Sequence, residues 1–302
     1  MNNLKKIDFI DLENFSKEEL YKILRNAQKF KVTKKNSNIL KNKIVGMIFE
    51  KPSTRTRVSF EAGVLQLGGS SIVLPSNDLH FGQGKELIED TAKVLSRYVD
   101  AIMMRSNCHD TLKNLAKNAS VPVINGLTNF SHPCQILADI MTIIEKKNDI
   151  ENQIVCWIGD CNNVANSWMQ ASCIFGFEFR VACPKKYWPK KIILDQIQTK
   201  GQKIIFFEDP IKAISKSTVV ATDVWISMGD KVGTKKKDFI SYQVNQEKMS
   251  FADNEAIFLH CLPALRGLEV TGEVIDGPQS LVFEEAENRL HIQKSILTYI
   301  IK

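Results

Sequence analysis

Ile44-Val-Gly-Met-Ile-Phe49, then Glu50-Lys51-Pro52, then Ser53-Thr54-Arg55-Thr56-Arg57: an apolar run, a proline break, and a restart with helical spacing. The run is short and apolar throughout, as a strand covered on both faces should be. From Thr56 onward, Val58, Phe60, Ala62, Val64, Leu65 and Leu67 suit a helix buried on most of its circumference. Ser53 and Thr54 then stand at an N-cap, with hydroxyls and free backbone N–H groups pointing outward. A helix N-terminus carries about half a positive charge and is a ready anion site. Arg55 and Arg57 concentrate further donors there, in proportion to a dianion such as phosphate. The same five residues also suit an ordinary capped helix with two solvated arginines, so the rest of the chain decides.

Outward from this stretch, strand and helix patterns alternate. A first helix runs from Ser16 to about Phe30, and strand-like runs recur near 44–49, 70–74, 101–105 and 121–125. Helical patterns fill about 53–67, 86–98 and 109–118. His132 to about Lys146 reads as a longer helix, after which strands return near 154–159, 178–182, 203–207, 219–222 and 256–260. The alternation predicts an α/β fold: two doubly wound parallel-sheet domains joined by interdomain helices. The expected division is a first domain over 1–131, a linking helix over 132–147, and a second domain over 148–284. A helix at about 285–302 is expected to pack back on the first domain. Three loops, about 75–85, 224–238 and 261–280, are long enough to be functional rather than plain connectors.

With 302 residues, 44% hydrophobic and 25% charged, the chain has the composition of an ordinary globular protein with room for a real core. Its net charge of +6 is spread along the chain without an arginine-rich arm or a nucleic-acid motif. The seven cysteines show no CxxC spacing, so neither zinc nor a dithiol pair is indicated and a reducing, cytoplasmic setting is expected. The N-terminal stretch has no apolar signal-peptide core, and no apolar run approaches the roughly 20 residues that span a bilayer.

In open parallel sheets, ligands bind beyond the carboxyl ends of the strands. Those ends carry Ser53–Arg57, Arg105, Asn125, Asp160–Asn163, Asp223 and His260–Cys261. Arg105 alone would pass for a solvated charge, but its strand shares a predicted sheet with 44–49, so both ends could face one anion. His132-Pro133-Cys134-Gln135 opens the long helix; an imidazole and a carboxamide there can hold a polarised carbonyl oxygen and an adjacent amide. Gly159-Asp160-Cys161-Asn162-Asn163 follows a strand but lacks GxGxxG, and Gly82-Gln83-Gly84-Lys85 lacks GxxxxGK[ST], so nucleotide binding is discounted. Asp223 and Ser227, near Gly229, could bind the ammonium and carboxylate groups of an amino acid, with turn chemistry as the alternative. Cys261 is a small hydrophobe unless it stands at the mouth of a site, where it could contact a substrate amine.

Together these motifs closely resemble the aspartate/ornithine carbamoyltransferase family, on its ornithine-specific branch. The landmarks run through nearly the whole chain: Ser53–Arg57, Lys85–Arg97, Arg105, His132–Gln135, Gly159–Asn163, Asp223–Gly229, His260-Cys-Leu-Pro263 and Glu287-Asn-Arg289. The resemblance implies a carbamoyl-phosphate domain, an amino-acid domain and a homotrimer, or an assembly of trimers, with active sites at subunit interfaces. It implies carbamoyl transfer from carbamoyl phosphate to the δ-amine of L-ornithine, giving citrulline for arginine synthesis, with no metal or organic cofactor. By the resemblance, Ser53, Thr54, Arg55, Thr56 and Arg105 bind the phosphate, and His132, Gln135 and Arg289 hold the carbamoyl end. Asn163, Asp223, Ser227 and Met228 bind the α-amino and α-carboxylate groups of ornithine. Cys261 and the Leu262 backbone lie beside the δ-amine and count also among the carbamoyl-phosphate ligands. Arg55, Arg105, His132 and Cys261 are the candidate catalytic groups. Two positions depart from the pattern: His80 replaces a common glutamine in a loop that helps bind carbamoyl phosphate, and Leu265 replaces a common aromatic residue or histidine.

The rivals are a carbamoyltransferase for another amine such as putrescine, a catalytically silent relative, and, on net charge alone, a nucleic-acid binder. Asp223–Gly229 discriminates against putrescine, since a diamine has no α-carboxylate for that loop to hold. His260-Cys-Leu-Pro263 is the ornithine-type signature and sets the aspartate branch aside.

Overall fold

The computed structural model describes residues 6–33, 37–75, 79, 84–197, 204–226 and 235–302. The chain divides into two units, Met1–Ala138 with Glu287–Lys302, and Asp139–Ala286.

In the first unit the order is α1 (Lys17–Thr33), β1 (Ile44–Phe49), α2 (Thr54–Gln66), β2 (Ser70–Pro75), α3 (Ile88–Leu95), β3 (Ala101–Arg105), α4 (His109–Asn118) and β4 (Val123–Leu127). Helix α5 (Pro133–Lys147) then begins, and the division between units falls inside it. The four strands are parallel in the order β2-β1-β3-β4. The chain winds from β1 to β2 on one side and then to β3 on the other, so the switch point lies between β1 and β3. Phe49 there pairs with Arg105. Ile48, Ile102, Met104, Leu112, Leu115 and Val123 pack in one apolar cluster beneath α3 and α4.

The second unit holds β5 (Ile154–Ile158), α6 (Asn163–Phe175), β6 (Glu178–Ala182), α7 (Lys191–Ile197), β7 (Ile204–Phe207), α8 (Pro210–Ile214), β8 (Val219–Thr222), α9 (Lys235–Phe239), α10 (Gln246–Met249), β9 (Ile257–His260) and α11 (Gly272–Ile275). Its five parallel strands lie in the order β7-β6-β5-β8-β9, with the switch point between β5 and β8. Trp168 of α6 stacks on Phe179 of β6 at 6.2 Å and meets Phe177 edge-on at 6.0 Å. Truncating such a buried tryptophan costs about 3–5 kcal/mol.

The final helix, α12 (Val282–Ile300), crosses the second division; its residues from Glu287 belong to the first unit. There it lies on α1, through Lys31 Nζ to Asn288 Oδ1 at 2.8 Å and Ser295 Oγ to the Ile23 carbonyl at 2.7 Å. It also lies against α2, where a Cβ on Gly63 would come within 3.3 Å of Lys294 Cγ. Among the described residues no helix is long and apolar enough to cross a membrane.

Three sequence expectations change. Helix α2 buries Phe60, Gly63 and Val64 but leaves Val58 57% and Leu65 73% exposed, so only one face is covered. Strand β4 occupies 123–127 rather than 121–125, because Pro122 has no N–H for the ladder. The stretch 261–280 contains α11 rather than being loop throughout. Of the other long loops, 76–78, 80–83 and 227–234 lie outside the described residues.

Candidate functional site

At the first switch point, α2 begins where β1 ends. Ser53 is the N-cap in an extended conformation, and its hydroxyl makes no capping bond. The first amides of an α-helix have no intrahelical acceptor, and the first turn of α2 contains no acidic residue to occupy them. Thr56 is buried, and its hydroxyl accepts from two guanidinium groups, Arg105 Nη1 at 3.1 Å and Arg289 Nη2 at 2.9 Å. Arg105 is fixed by the end of its own strand. The Glu50 N–H donates to the Arg105 carbonyl at 3.0 Å, while Glu50 Oε2 accepts from Ser106 Oγ at 3.0 Å and the Asn107 N–H at 2.6 Å. The ladder shifts register beside it, at Met104/Arg105, opposite Gly126. A Cβ on Gly126 would lie 2.5 Å from Met103 Sδ and 3.2 Å from the Met104 carbonyl, so only glycine lets β4 approach this closely.

His132 and Gln135 open α5 and are buried. Burial, and then the guanidinium groups of Arg289, Arg105 and Arg55, hold the His132 imidazole well below its ordinary value. It is neutral at neutral pH, a hydrogen-bonding group among three fixed positive charges. Cys134 beside it is inert: burial pushes its thiol up to about 12, and Sγ donates to the Asn125 carbonyl at 3.4 Å. Ser53, Thr54, Arg55, Thr56, Arg105, His132, Gln135 and Arg289 thus all belong to one unit, and three of them, Arg55, Arg105 and Arg289, converge on Thr56 and His132. The arrangement suits an oxyanion or phosphate group, with neutral donors beside it for an amide.

At the second switch point, Asn162 caps α6, its Oδ1 accepting from the N–H groups of Val164 at 2.9 Å and Ala165 at 3.1 Å. Its Nδ2 donates to Asp223 Oδ2 at 2.8 Å, and the other oxygen of Asp223 accepts from Cys261 Sγ at 3.2 Å. One aspartate therefore ties the ends of β5 and β9 across the end of β8. Burial, and then Asp223 and Glu285, push the Cys261 thiol well above its ordinary range, so it stays protonated and is no nucleophile. Asn163 is the first residue of α6. Asp160 pairs with Lys235 at 2.7 Å. An aspartate facing a neutral thiol suits a cationic or amino group.

Asp223, His260 and Cys261 bring their ligand atoms within 4.8 Å of one another. His260 is already engaged: Nδ1 accepts the Leu262 N–H at 2.9 Å, and Nε2 therefore carries the proton toward Glu269 Oε1 at 3.2 Å. The trio is held by its own hydrogen bonds, and the ring has no spare lone pair for a cation. Leu262, at φ +56°, sits in the left-handed region that ordinary side chains avoid. The bond to His260, and Leu265 N–H to Glu269 Oε1 at 2.5 Å, hold it there. A cavity of about 250 Å³ adjoins, lined by Val224, Trp225, Ile226, Pro263, Leu265 and Leu268. Lys236 and Glu269 also line it, and Leu265 is 51% exposed, so nothing in the structure explains the aliphatic residue at that position.

Cys261 and Leu262 fall in the unit of Asp223, while Ser53, Thr54, Arg55, Thr56, Arg105, His132, Gln135 and Arg289 fall in the first unit. His80, Ser227 and Met228 lie outside the described residues. Asn162 stands within the Asp160–Asn163 strand end, but its cap role and its bond to Asp223 escaped the sequence reading, although an asparagine before an apolar helical run is an N-cap signal. Glu269 and Glu285, which position His260, carried no local signal.

Two parallel-sheet α/β units, one with a cationic and one with an acidic switch point, define a protein built to hold two small substrates of different charge. Residues 7–145 match the family model of the aspartate/ornithine carbamoyltransferase carbamoyl-P binding domain, and residues 151–300 match that of the Asp/Orn binding domain. The chain belongs to the aspartate/ornithine carbamoyltransferase family. It is 48% identical to an ornithine carbamoyltransferase of Methanosarcina acetivorans, over 98% of this chain and 100% of the relative. It is 50% identical to one of Nitrobacter winogradskyi, over 97% and 96% respectively. The solved ornithine carbamoyltransferase of Pyrococcus furiosus superposes with a TM-score of 0.94 at 45% identity, covering 99% of this chain and 98% of that one.

Proposed function

We propose that this enzyme transfers the carbamoyl group of carbamoyl phosphate to the δ-amine of L-ornithine, forming L-citrulline and phosphate. The observation that carries the reading is the pairing of a cationic switch point, with a neutral histidine inside it, and an acidic one in a single chain of this family. The domain over 1–131 with the helix at about 285–302 takes carbamoyl phosphate, the helix over 132–147 links, and the domain over 148–284 takes ornithine.

In this reading the amides of Ser53–Thr56, with Arg55 and Arg105, receive the phosphate. His80 assists, and His132, Gln135 and Arg289 hold the carbamoyl group. Asn163, Asp223, Ser227 and Met228 hold the amino-acid end, with Cys261 and the Leu262 backbone beside the δ-amine. The free amine attacks the carbamoyl carbon, the C–O bond to phosphate breaks, and the amine proton leaves with the phosphate. Charge that develops on the carbamoyl oxygen falls among Arg55, Thr56, Arg105 and His132; donors of this kind each contribute about 10²–10³-fold. A neutral His132 donates without holding a proton that the reaction must move.

Assembly as a homotrimer is supported by the apolar residues left uncovered on the first unit, Val58 and Leu65 of α2 and Ile72 of the edge strand β2. A cytoplasmic setting accords with seven cysteines that form no disulfide, and a role in arginine synthesis accords with citrulline as the product. The test is citrulline formation with ornithine beside the same assay with putrescine. Ornithine turnover that rises with pH on the alkaline side is expected, and clear preference for putrescine overturns the assignment.

A further inference from the structure

A second buried polar cluster precedes His132 in the chain and belongs to no substrate contact described above. Asp11, His109, Asn125, Thr128 and Ser131 are between 0% and 7% exposed. They come from the turn before α1, the first residue of α4, strand β4, and the turn that leads into α5. Asn125 Nδ2 donates to Ser131 Oγ at 3.0 Å and to the Ile10 carbonyl at 2.8 Å. Ser131 Oγ donates in turn to Asp11 Oδ1 through a short bond. The other oxygen of Asp11 lies 3.0 Å from His109 Nε2, and His109 Nδ1 shares a 2.9 Å hydrogen bond with the Thr128 hydroxyl. Thr128 Oγ1 also accepts from the N–H groups of Phe130 at 3.3 Å and Ser131 at 3.2 Å. The Thr128 N–H donates to the Ser131 carbonyl at 2.9 Å, and the His109 N–H to Asn129 Oδ1 at 3.0 Å.

Ser131, Thr128 and Asn129 of the turn 128–131 take most of these bonds, and His132 is the next residue. Such a turn has no regular backbone ladder, so side chains fix its path. Buried networks of this kind favour one arrangement; here Asn125 Oδ1 makes no hydrogen bond among the described residues, and His109 Nε2 meets Asp11 by the 3.0 Å charge contact alone. We propose that Asp11, His109 and Thr128 are positioning residues: they clamp the turn 128–131 and so aim the His132 imidazole and the Gln135 carboxamide. The inference rests on the reading of His132 as a carbamoyl-group donor. A displacement of about 1 Å at such a group can cost about 10²-fold in rate.

Two pairs of variants test it. Thr128→Val keeps the shape and removes the hydroxyl, and Thr128→Ser restores it. His109→Ala leaves the Asp11 carboxylate unopposed, and His109→Gln returns an N–H toward it. With citrulline formation as the assay, Thr128→Val and His109→Ala are expected to lose about 10–10²-fold in kcat with ornithine KM within about twofold, and Thr128→Ser and His109→Gln to recover most of it. The second readout is the ¹³Cε1 resonance of His132, assigned with His132→Gln in a chain of only five histidines. Arg55, Arg105 and Arg289 are the charged groups facing that ring, from α2, β3 and α12. In the parent its resonance stays that of a neutral ring through the ordinary histidine range; in Thr128→Val and His109→Ala it is expected to titrate closer to the ordinary value. An unmoved His132 resonance overturns the proposal, whether kcat is intact or falls only in step with thermal stability. If the parent makes no citrulline, the functional reading fails while the resonance comparison still decides whether the clamp exists.

Discussion

Beyond β1 and β3 stand an N-cap serine without a capping bond, a threonine holding two guanidinium groups, and a neutral imidazole. Beyond β5, β8 and β9 stand an N-cap asparagine fully used, an aspartate holding an amide and a thiol, and a histidine turned inward to a glutamate. Both sets occupy the switch point of a doubly wound sheet, so topology alone places them. What differs is which local bonds are left open. In the first unit Ser53 leaves the α2 terminus uncapped and two guanidinium groups meet on Thr56; in the second, Asn162 caps its own helix and donates through Nδ2 to Asp223. The fold supplies the location, and capping chemistry decides the sign of charge that the location accepts.

The sharpest way to break this contrast is Arg55→Ala. Arg55 is exposed, so its removal leaves the fold intact, and citrulline kcat/KM is expected to fall about 10³-fold. Ornithine binding, measured by calorimetry in the presence of phosphate, should change far less; equal loss for both substrates would erase the division of labour. Asp223→Asn is the mirror experiment. Removing one charge-assisted bond should raise ornithine KM about 10–10²-fold while carbamoyl phosphate protection against thermal unfolding is retained. The same variant should speed alkylation of Cys261, because Asp223 helps to keep that thiol protonated.

Gly126→Ala tests the scaffold rather than the charge. Its Cβ would overlap Met103 and the Met104 carbonyl, so denaturant unfolding should show a loss of about 1–3 kcal/mol with carbamoyl phosphate affinity weakened through Arg105. The smallest effect concerns His132. Its folded value is depressed, so the unfolded chain binds more protons as pH falls below the ordinary histidine value, and the native state loses stability there. Stability is complete above that value and declines toward acid, by at most about 1.4 kcal/mol per pH unit from this one group. Denaturation midpoints of the parent and His132→Gln between pH 5 and pH 7 measure the difference; parallel curves would falsify a buried neutral ring.

Much of this was legible from residues alone. The strands of the described residues are short and mostly apolar, and the central ones, such as β1, β3, β5 and β8, are buried on both faces and so have no alternation to obscure them. The polar residues at the strand ends were legible for the same reason, since nothing else interrupts the apolar pattern. Periodicity reports apolar character and not its cover, so it read Val58 and Leu65 as buried. It was equally silent on the acids that orient His260. Glu269 and Glu285 follow it by 9 and 25 residues, and only the tertiary fold makes them neighbours. The clamp on the turn before His132 draws on Asp11, 120 residues from Ser131, and is invisible to any local window.

The bond from Arg289 to Thr56 joins residues 233 apart, because the second unit is inserted within the sequence of the first. During synthesis the first unit therefore stays incomplete until the whole of the inserted unit has been made. The inserted unit can fold while the enclosing one waits for its final helix, so a chain stopped before Glu287 would carry the acidic half of the chemistry without its partner. In this architecture the order of translation also orders assembly: the contact between Arg289 and Thr56 can form only after the inserted unit has been synthesised.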